Sequence, residues 1–557
     1  MKIGKIILFF LLGWSLQGVH AQHMDIEAMM KDTKLKVHGG VNANGLFYQS
    51  NQEESREPFT YLINGSLNMS FMTFSMPISY NITNQGDALN YKAPFDFNRF
   101  SIAPKYKWIQ AYIGDNAMTF SPYTLSGHPF RGLGVELTPE GSYSISLMGG
   151  RLLKAVEGND SIGLPAVYQR WGYGTKLGYE QEKYEVEVIG FYAKDQKNSL
   201  DYATDVSPKS NKVGSVKVGT TIVTNLKVEA EYALSVITDH TPYLAYNTGE
   251  PIQQYDQSST HTKAFNAKLN YLLGKSSLGL VYENVDPNYQ TFGAMYFNND
   301  LENIGITFAR PFWQDKLAIS TQLGYQRDNL DDAKNQTNVR LVGNINAALR
   351  ATEALNISGN YSNFSTTTNR RLNQFEYINN PNLNPADTLN YRQLSQNGNV
   401  NVNYVFGRAK NQNVNFNYAI AGQANKQGGI IRKGQASTVQ NFNLMHSINF
   451  PSTQIGLNTS ANYTDTRVGS ITTSAYGGSL SASKKFFENK LNSNLGVLYN
   501  QSEGTTMNRV FGIKWSCSYV WLEQHNFSLY GIQMFKTATN VDAMNDLTLN
   551  FNYSYSF

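Results

Sequence analysis

The C-terminal stretch constrains this chain more than any other part of it. From Asn545 it reads N-D-L-T-L-N-F-N-Y-S-Y-S-F and stops at Phe557. Leu547, Leu549, Phe551, Tyr553, Tyr555 and Phe557 fall on one side of a period-two ribbon. Thr548, Asn550, Asn552, Ser554 and Ser556 fall on the other. A strand with one wet face alternates in this way, but here the alternation runs to the last residue. A chain that stops inside an amphipathic strand, on an aromatic side chain, is expected to complete a sheet there.

Composition limits what that sheet belongs to. An α-helical membrane protein of this size needs several runs of about 20 apolar residues. This one is 41% hydrophobic with a mean hydropathy of -0.39, and its one apolar run is residues 6–12, behind Lys2 and Lys5. Val19-His20-Ala21 then offers a small-x-small exit before Gln22, so residues 1–21 read as a signal peptide cleaved near Ala21. No Cys follows that exit, which excludes a lipoprotein. Cys517 is the only cysteine, so neither an internal disulfide nor a thiolate zinc cluster is available. Without Lys2 and Lys5 the 46 basic residues become 44 against 42 acidic ones, a net +2, and nucleic acid is excluded as a partner.

Residues 22–33 form a short polar lead, expected in the periplasm, and 34–557 show no linker or composition shift. A single soluble core stops growing near ~250–300 residues, whereas a closed membrane barrel enlarges by adding hairpins. Hairpins are readable throughout. Leu226, Val228, Ala230 and Tyr232 oppose Lys227, Glu229 and Glu231; Val414, Phe416, Tyr418 and Ile420 oppose Asn413, Asn415 and Asn417. Compact connections, as near Lys107, Thr224, Gly274 and Trp313, alternate with long polar ones such as 83–98, 238–260, 365–388 and 423–436. That alternation is the pattern of tight periplasmic turns and long outer loops. The expected fold is all-β: a closed antiparallel transmembrane β-barrel of about 22–26 strands, best counted as 26. A soluble β-propeller would need a repeating blade motif, and none is found.

The tail from Leu547 to Phe557 resembles the C-terminal signal read by the barrel-assembly machinery of bacterial outer-membrane β-barrel proteins. The chain is similar in texture to uncharacterised outer-membrane barrels of the Bacteroidota type. The resemblance implies a cell outer membrane location, with outer-membrane lipid and, during biogenesis, the barrel-assembly machinery as partners. The short lead leaves no room for the folded plug domain of TonB-dependent receptors, so no plug domain is expected.

The aliphatic and aromatic faces are expected to meet lipid and the Asn/Ser/Thr/Gly faces to line a wet lumen, with Glu185, Glu187, Lys227, Glu229 and Glu231 among its charges. Trp108, Trp313 and Trp521 sit at compact connections, where an interfacial aromatic girdle belongs. One region breaks the alternation. Residues 120–134 hold Phe120, Tyr123, His128, Phe130 and Arg131 with Pro122 and Pro129, which are expected to keep the stretch out of a central strand. Either it folds inward, constricting the lumen or gripping a ligand, or it packs as an outer loop. The 365–388 connection, with Arg370 and Arg371, is a lid, a docking surface or a solvated loop.

Catalytic, cofactor and metal sites are not readable. His23, His38, His128, His240, His261, His446 and His525 lie at no ligand spacing. Gly274-Lys275-Ser276 lacks the first glycine of a phosphate loop, with Leu269 in its place. Cys517 reads as a small wall residue. The expected function is a porin-like conduit for polar solutes. The alternative is a barrel subunit of a secretion, adhesion or envelope-assembly complex whose lumen loops or a protein partner close. A barrel-embedded hydrolase is a lesser alternative, since only geometry reveals such a site.

Overall fold

A computed structural model describes residues 35–52, 57–84, 96, 98–158, 165–201, 206–247, 250–334, 336–370, 391–427, 430–431, 436–504, 507–539 and 541–557. The expected signal peptide at 1–21, the expected lead at 22–33 and most of the expected connection at 365–388 lie outside them.

Every wall strand pairs antiparallel with its chain neighbours. The last strand, Val541–Ser556, pairs with the first, Lys36–Ser50, from Ser50↔Asp546 to Gly40↔Ser556. Phe557 extends this seam by exchanging backbone hydrogen bonds with Gly39 at 2.9 and 3.0 Å. One wall strand is broken: Arg99–Ile102 and Lys105–Tyr106 both pair with the same two neighbours on either side of Ala103 and Pro104. Ile430–Ile431 only folds back on Lys426 and Gln427. The wall is therefore a closed barrel of 26 strands. Even closure leaves both described termini on one side, with the short turns. Among the described residues the only helix is a single 3-10 turn, Arg408–Lys410.

Strand faces sort as lipid and water require. Leu234, Leu278, Leu280, Val400, Leu495 and Phe551 are exposed on the outer face. On the inner face amides pair across strands: Asn44 to Asn550 at 2.9 Å, Asn552 to Asn42 at 2.8 Å, Asn413 to Asn403 at 2.9 Å, and Asn401 with Asn415 in both directions. The inner carboxylates are ion-paired there, Glu185 to Lys217 at 2.7 Å, Glu187 to Lys176 at 3.4 Å and Glu229 to Lys227 at 2.5 Å. Trp108, Trp313 and Trp521 are exposed beside short turns.

Two expectations about where strands run need correction. The 238–260 stretch is not a loop. Leu226–Asn247 and Glu250–Leu273, of 22 and 24 residues, form one ladder up to Asn247↔Glu250. The flanking registers stop at Asp239 and Ala264, so this hairpin stands clear of its neighbours. Nor do prolines exclude a strand from 120–134. Ser126–Leu137 is a wall strand containing Pro129, opposite Ala117. Its second ladder begins only at Arg131↔Arg151, so the missing Pro129 N–H forfeits no pairing on that side.

Closure at the seam predicts the response of the tail to charge. A lysine at Phe551, 48% exposed on the outer face, should cost about 2–4 kcal/mol at the bilayer midplane. Phe551→Lys should sharply reduce the folded, heat-modifiable band on gels of outer-membrane fractions, and an undiminished band would refute this.

Candidate functional site

Between the strands Ile109–Thr119 and Leu301–Phe312, the inner face departs from its polar lining. Ile189, Phe191, Val213, Ala233, Ala264 and Val285 are buried on the face opposite the exposed Val188, Val216, Tyr232, Leu234 and Leu280. What buries them is a pair of connections folded against the inside of the wall. Residues 120–125 and 286–300 bring Phe120, Tyr123, Leu125, Tyr289 and Phe292 onto those strands.

The two connections hold each other by backbone. Leu125 bridges Gly293 in parallel and the Ser126 N–H donates to the Gly293 carbonyl at 2.8 Å. The Thr291 hydroxyl donates to Thr124 O at 2.5 Å, and the Tyr289 hydroxyl to Tyr123 O at 2.8 Å. A Cβ on Gly293 would lie 2.4 Å from Thr124 O, so this approach requires glycine. Inside the shorter connection the Phe120 N–H donates to Leu125 O at 2.8 Å, and the Ser121 and Thr124 hydroxyls lie 2.8 Å apart.

Wall residues then anchor the pair. The Tyr123 hydroxyl donates to Glu283 at 2.7 Å, and the Ser235 hydroxyl to Gln290 O at 2.6 Å. Asn211 accepts from the Phe292 N–H at 3.0 Å and donates to Ser235 at 2.8 Å. Arg170, held in two contacts by Asp195 at 2.7 and 3.0 Å, lays its guanidinium 3.6 Å from the Phe292 ring centre. Tyr123, Tyr289 and Phe297 pack with ring centres 5.1 to 6.3 Å apart. Burial first, then the Glu283 carboxylate, pushes the Tyr123 phenol well above its ordinary range; burial and Glu231 do the same to Tyr289. Both remain neutral donors.

The far end of 286–300 is tied to the connection at 328–334. Asp300, 3% exposed, accepts the Leu330 N–H at 2.9 Å and meets the Lys334 ammonium. Burial raises the Asp300 carboxyl, but Lys334 and the backbone N–H groups outweigh it and hold the group below the usual carboxylate range.

Of the residues singled out in 120–134, Phe120, Tyr123, His128 and Phe130 are buried, and Phe120, Tyr123 and Phe130 join this internal core. Arg131 does not. It points to the opposite face, with Leu133, and pairs with Asp115. Sequence reasoning missed 286–300 altogether. The available signal was its density of aromatics, Tyr289, Phe292, Tyr296 and Phe297 around Pro287 and Gly293, the same texture as 120–134. Among the described residues no His, Cys, Asp and Glu group is placed to hold a metal.

No family model and no curated protein matches the chain. Solved structures similar to it include a mutant of the ferric enterobactin receptor PfeA from Pseudomonas aeruginosa, at TM-score 0.40 and 10% identity, covering 94% of this chain and 81% of that one. The FrpB iron transporter from Neisseria meningitidis gives 0.38 and 11%, covering 95% and 84%. The translocation pore of the P pilus usher PapC gives 0.37 and 10%, covering 94% and 99%.

Two outcomes follow from this geometry. Phe292→Ala should cost about 3–5 kcal/mol locally and expose 286–300 to limited proteolysis, while the barrel stays heat-modifiable. Protection equal to the parent would show that Phe292 is not an anchor. Because Asp300 has a depressed pKa, its contribution is full above the unfolded carboxylate value of about 3.9 and is lost as pH falls through the folded one. The protection factor of the Leu330 N–H, its hydrogen-exchange rate divided out by intrinsic exchange at each pH, should therefore be constant from pH 7 to 5 and fall only in stronger acid; a transition near pH 6 would contradict the pairing.

Proposed function

We propose that the chain is an outer-membrane conduit for polar solutes, narrowed from one side by its own connections. The observation supporting this is the unequal lining of the lumen. Strands from Ile109–Thr119 to Leu301–Phe312 carry a dry, hydrogen-bonded core on their inner face. From Tyr391–Phe406 to Val541–Ser556, and on to Lys36–Ser50, the inner face carries asparagine pairs such as Asn399 with Asn417 and Asn44 with Asn550. A hydrated solute would keep to this amide wall, where each lost water hydrogen bond has a replacement. In this reading the 1–21 signal peptide exports the chain, Leu547 to Phe557 address it to the barrel-assembly machinery, and Trp108, Trp313 and Trp521 anchor it at the interface.

Bore width supports a second reading, a barrel subunit of a secretion, adhesion or envelope-assembly complex. With 26 strands spaced about 4.8 Å and tilted about 40°, the backbone diameter is roughly 50 Å. The internal core lines only part of that circumference. A partner in the remaining lumen would complete the seal, and the hairpin of Leu226–Asn247 and Glu250–Leu273 would meet it outside the membrane.

Planar-bilayer recording separates the readings. For the conduit, the purified protein should conduct ohmically, and replacing 286–300 by a short Gly/Ser linker should raise unit conductance at least twofold. Conductance unaffected by that replacement would remove the constriction. A silent protein that co-purifies with a stoichiometric partner would favour the subunit.

A further inference from the structure

We propose that a window in the barrel wall, framed by Arg99, Arg131, Arg151 and Lys154, binds a phosphate-class anion. The window arises where the broken strand leaves its neighbour. Between Arg99–Ile102 and Ile109–Thr119 the ladder consists of Ser101↔Gly114 and Ile102↔Ile113. Gly114 turns there at φ 89°, and a Cβ on it would lie 2.3 Å from Phe100 O. Beyond it the Phe100 N–H donates not to a backbone carbonyl but to the Asp115 carboxylate, at 2.9 Å. The two strands part from this point upward.

Charge gathers in the gap. Arg131 meets Asp115 at 2.7 Å and Asp96 at 3.0 Å. Asp96 also takes Arg151 at 2.8 Å and Lys154 at 3.3 Å, while Arg99 donates to the Asp96 carbonyl at 3.1 Å. Four cations thus face two carboxylates, a local +2, and three of those cations share the single carboxylate of Asp96. Around them is a cavity of about 310 Å³. It shares Ser79, Arg99, Ser101 and Asp115 with a cavity of about 710 Å³ that is also lined by the inner-face residues Asn42, Asn64 and Ser66. Arg131 and Arg151 stand by strand parity with Leu133 and Leu147 on the outer face. The window is therefore lined from both sides of the wall.

Guanidinium groups on a lipid-facing wall are expensive unless a partner meets them. A phosphate monoester, with about -1.5 to -2 charge near pH 7, matches the local +2 and offers the acceptor geometry that arginine forks recognise. Asp96 occupies this position as an internal carboxylate, and an incoming phosphate would compete with it. The phosphate can come from a lipid headgroup on the outer side or from a solute on the lumenal side.

The test uses the full-length protein in detergent, titrated with inorganic phosphate and, separately, with phosphatidic acid in mixed micelles. At least one probe should bind saturably. Arg151→Gln and Lys154→Gln should each weaken that binding tenfold or more, and Asp96→Asn should strengthen it. Lys154 contacts only Asp96 among these groups and lies outside the ladder, so its variant keeps the test valid if an arginine variant does not fold. Saturable binding of phosphate alone assigns the site to a solute, of phosphatidic acid alone to a headgroup, and of both to either source. Saturable binding of neither, or binding indifferent to all three substitutions in variants that remain heat-modifiable, overturns the proposal.

Discussion

Backbone pairing between the last strand and the first is the interaction on which everything else depends. In hydrocarbon an unpaired N–H or C=O has no water to turn to, so a sheet survives there only when it has no edge. Val541–Ser556 lying against Lys36–Ser50 abolishes the edge. The Phe557 exchange with Gly39 carries the pairing one step past the strand. This requirement is indifferent to side chains. Because the closing pair is antiparallel, the strand number is even, and each side chain is left free to answer to lipid or to the lumen.

That freedom explains what was legible in the sequence. Where the lumenal face is wet, the two faces differ in chemistry and the period-two pattern is plain, as in Asn413, Asn415 and Asn417 against Val414, Phe416 and Tyr418. The wall could therefore be counted to 26 strands, which the structure contains. Where connections fold inward, Ile189 and Phe191 on the lumenal side alternate with the lipid-facing Val188 and with Gly190, and the pattern blurs. Assigning every apolar face to lipid was sound for most of the barrel and wrong over the strands that carry the internal core. The partner segment 286–300 had no periodicity to reveal it. Contacts such as the register Leu125↔Gly293 and the anchors at Asn211 and Ser235 make it part of a site.

Pro129 shows the same limit at a single residue. Proline excludes a strand only if its N–H is needed on a ladder, and that depends on where the neighbouring strand stops. Here the neighbour's pairing begins at Arg131. Likewise, 238–260 reads as a connection because it is long and polar. A two-stranded ladder in water needs no lipid-facing alternation, so Leu226–Asn247 and Glu250–Leu273 continue beyond the membrane without a signal that distinguishes them from a loop.

The internal core and the window lie on adjoining parts of the same wall, and a shared strand links them. Ser126–Leu137 follows directly from 120–125; its Phe130 enters the core with Met118, Met148 and Leu152, while Arg131, the next residue, turns to Asp115 and Asp96. Parity forces this division, because adjacent residues of a strand cannot share a face. The wall between core and window is also thin in side chains: a Cβ on Gly132 would lie 2.2 Å from Gly149 O, and one on Gly150 would lie 2.8 Å from Arg131 O. Backbones pressed together at that spacing leave little room for one face to shift without the other. An anion drawing Arg131 and Arg151 together would thus press on the strand that carries Phe130 into the core. One strand joins Arg131 on the outer face to Phe130 in the internal core.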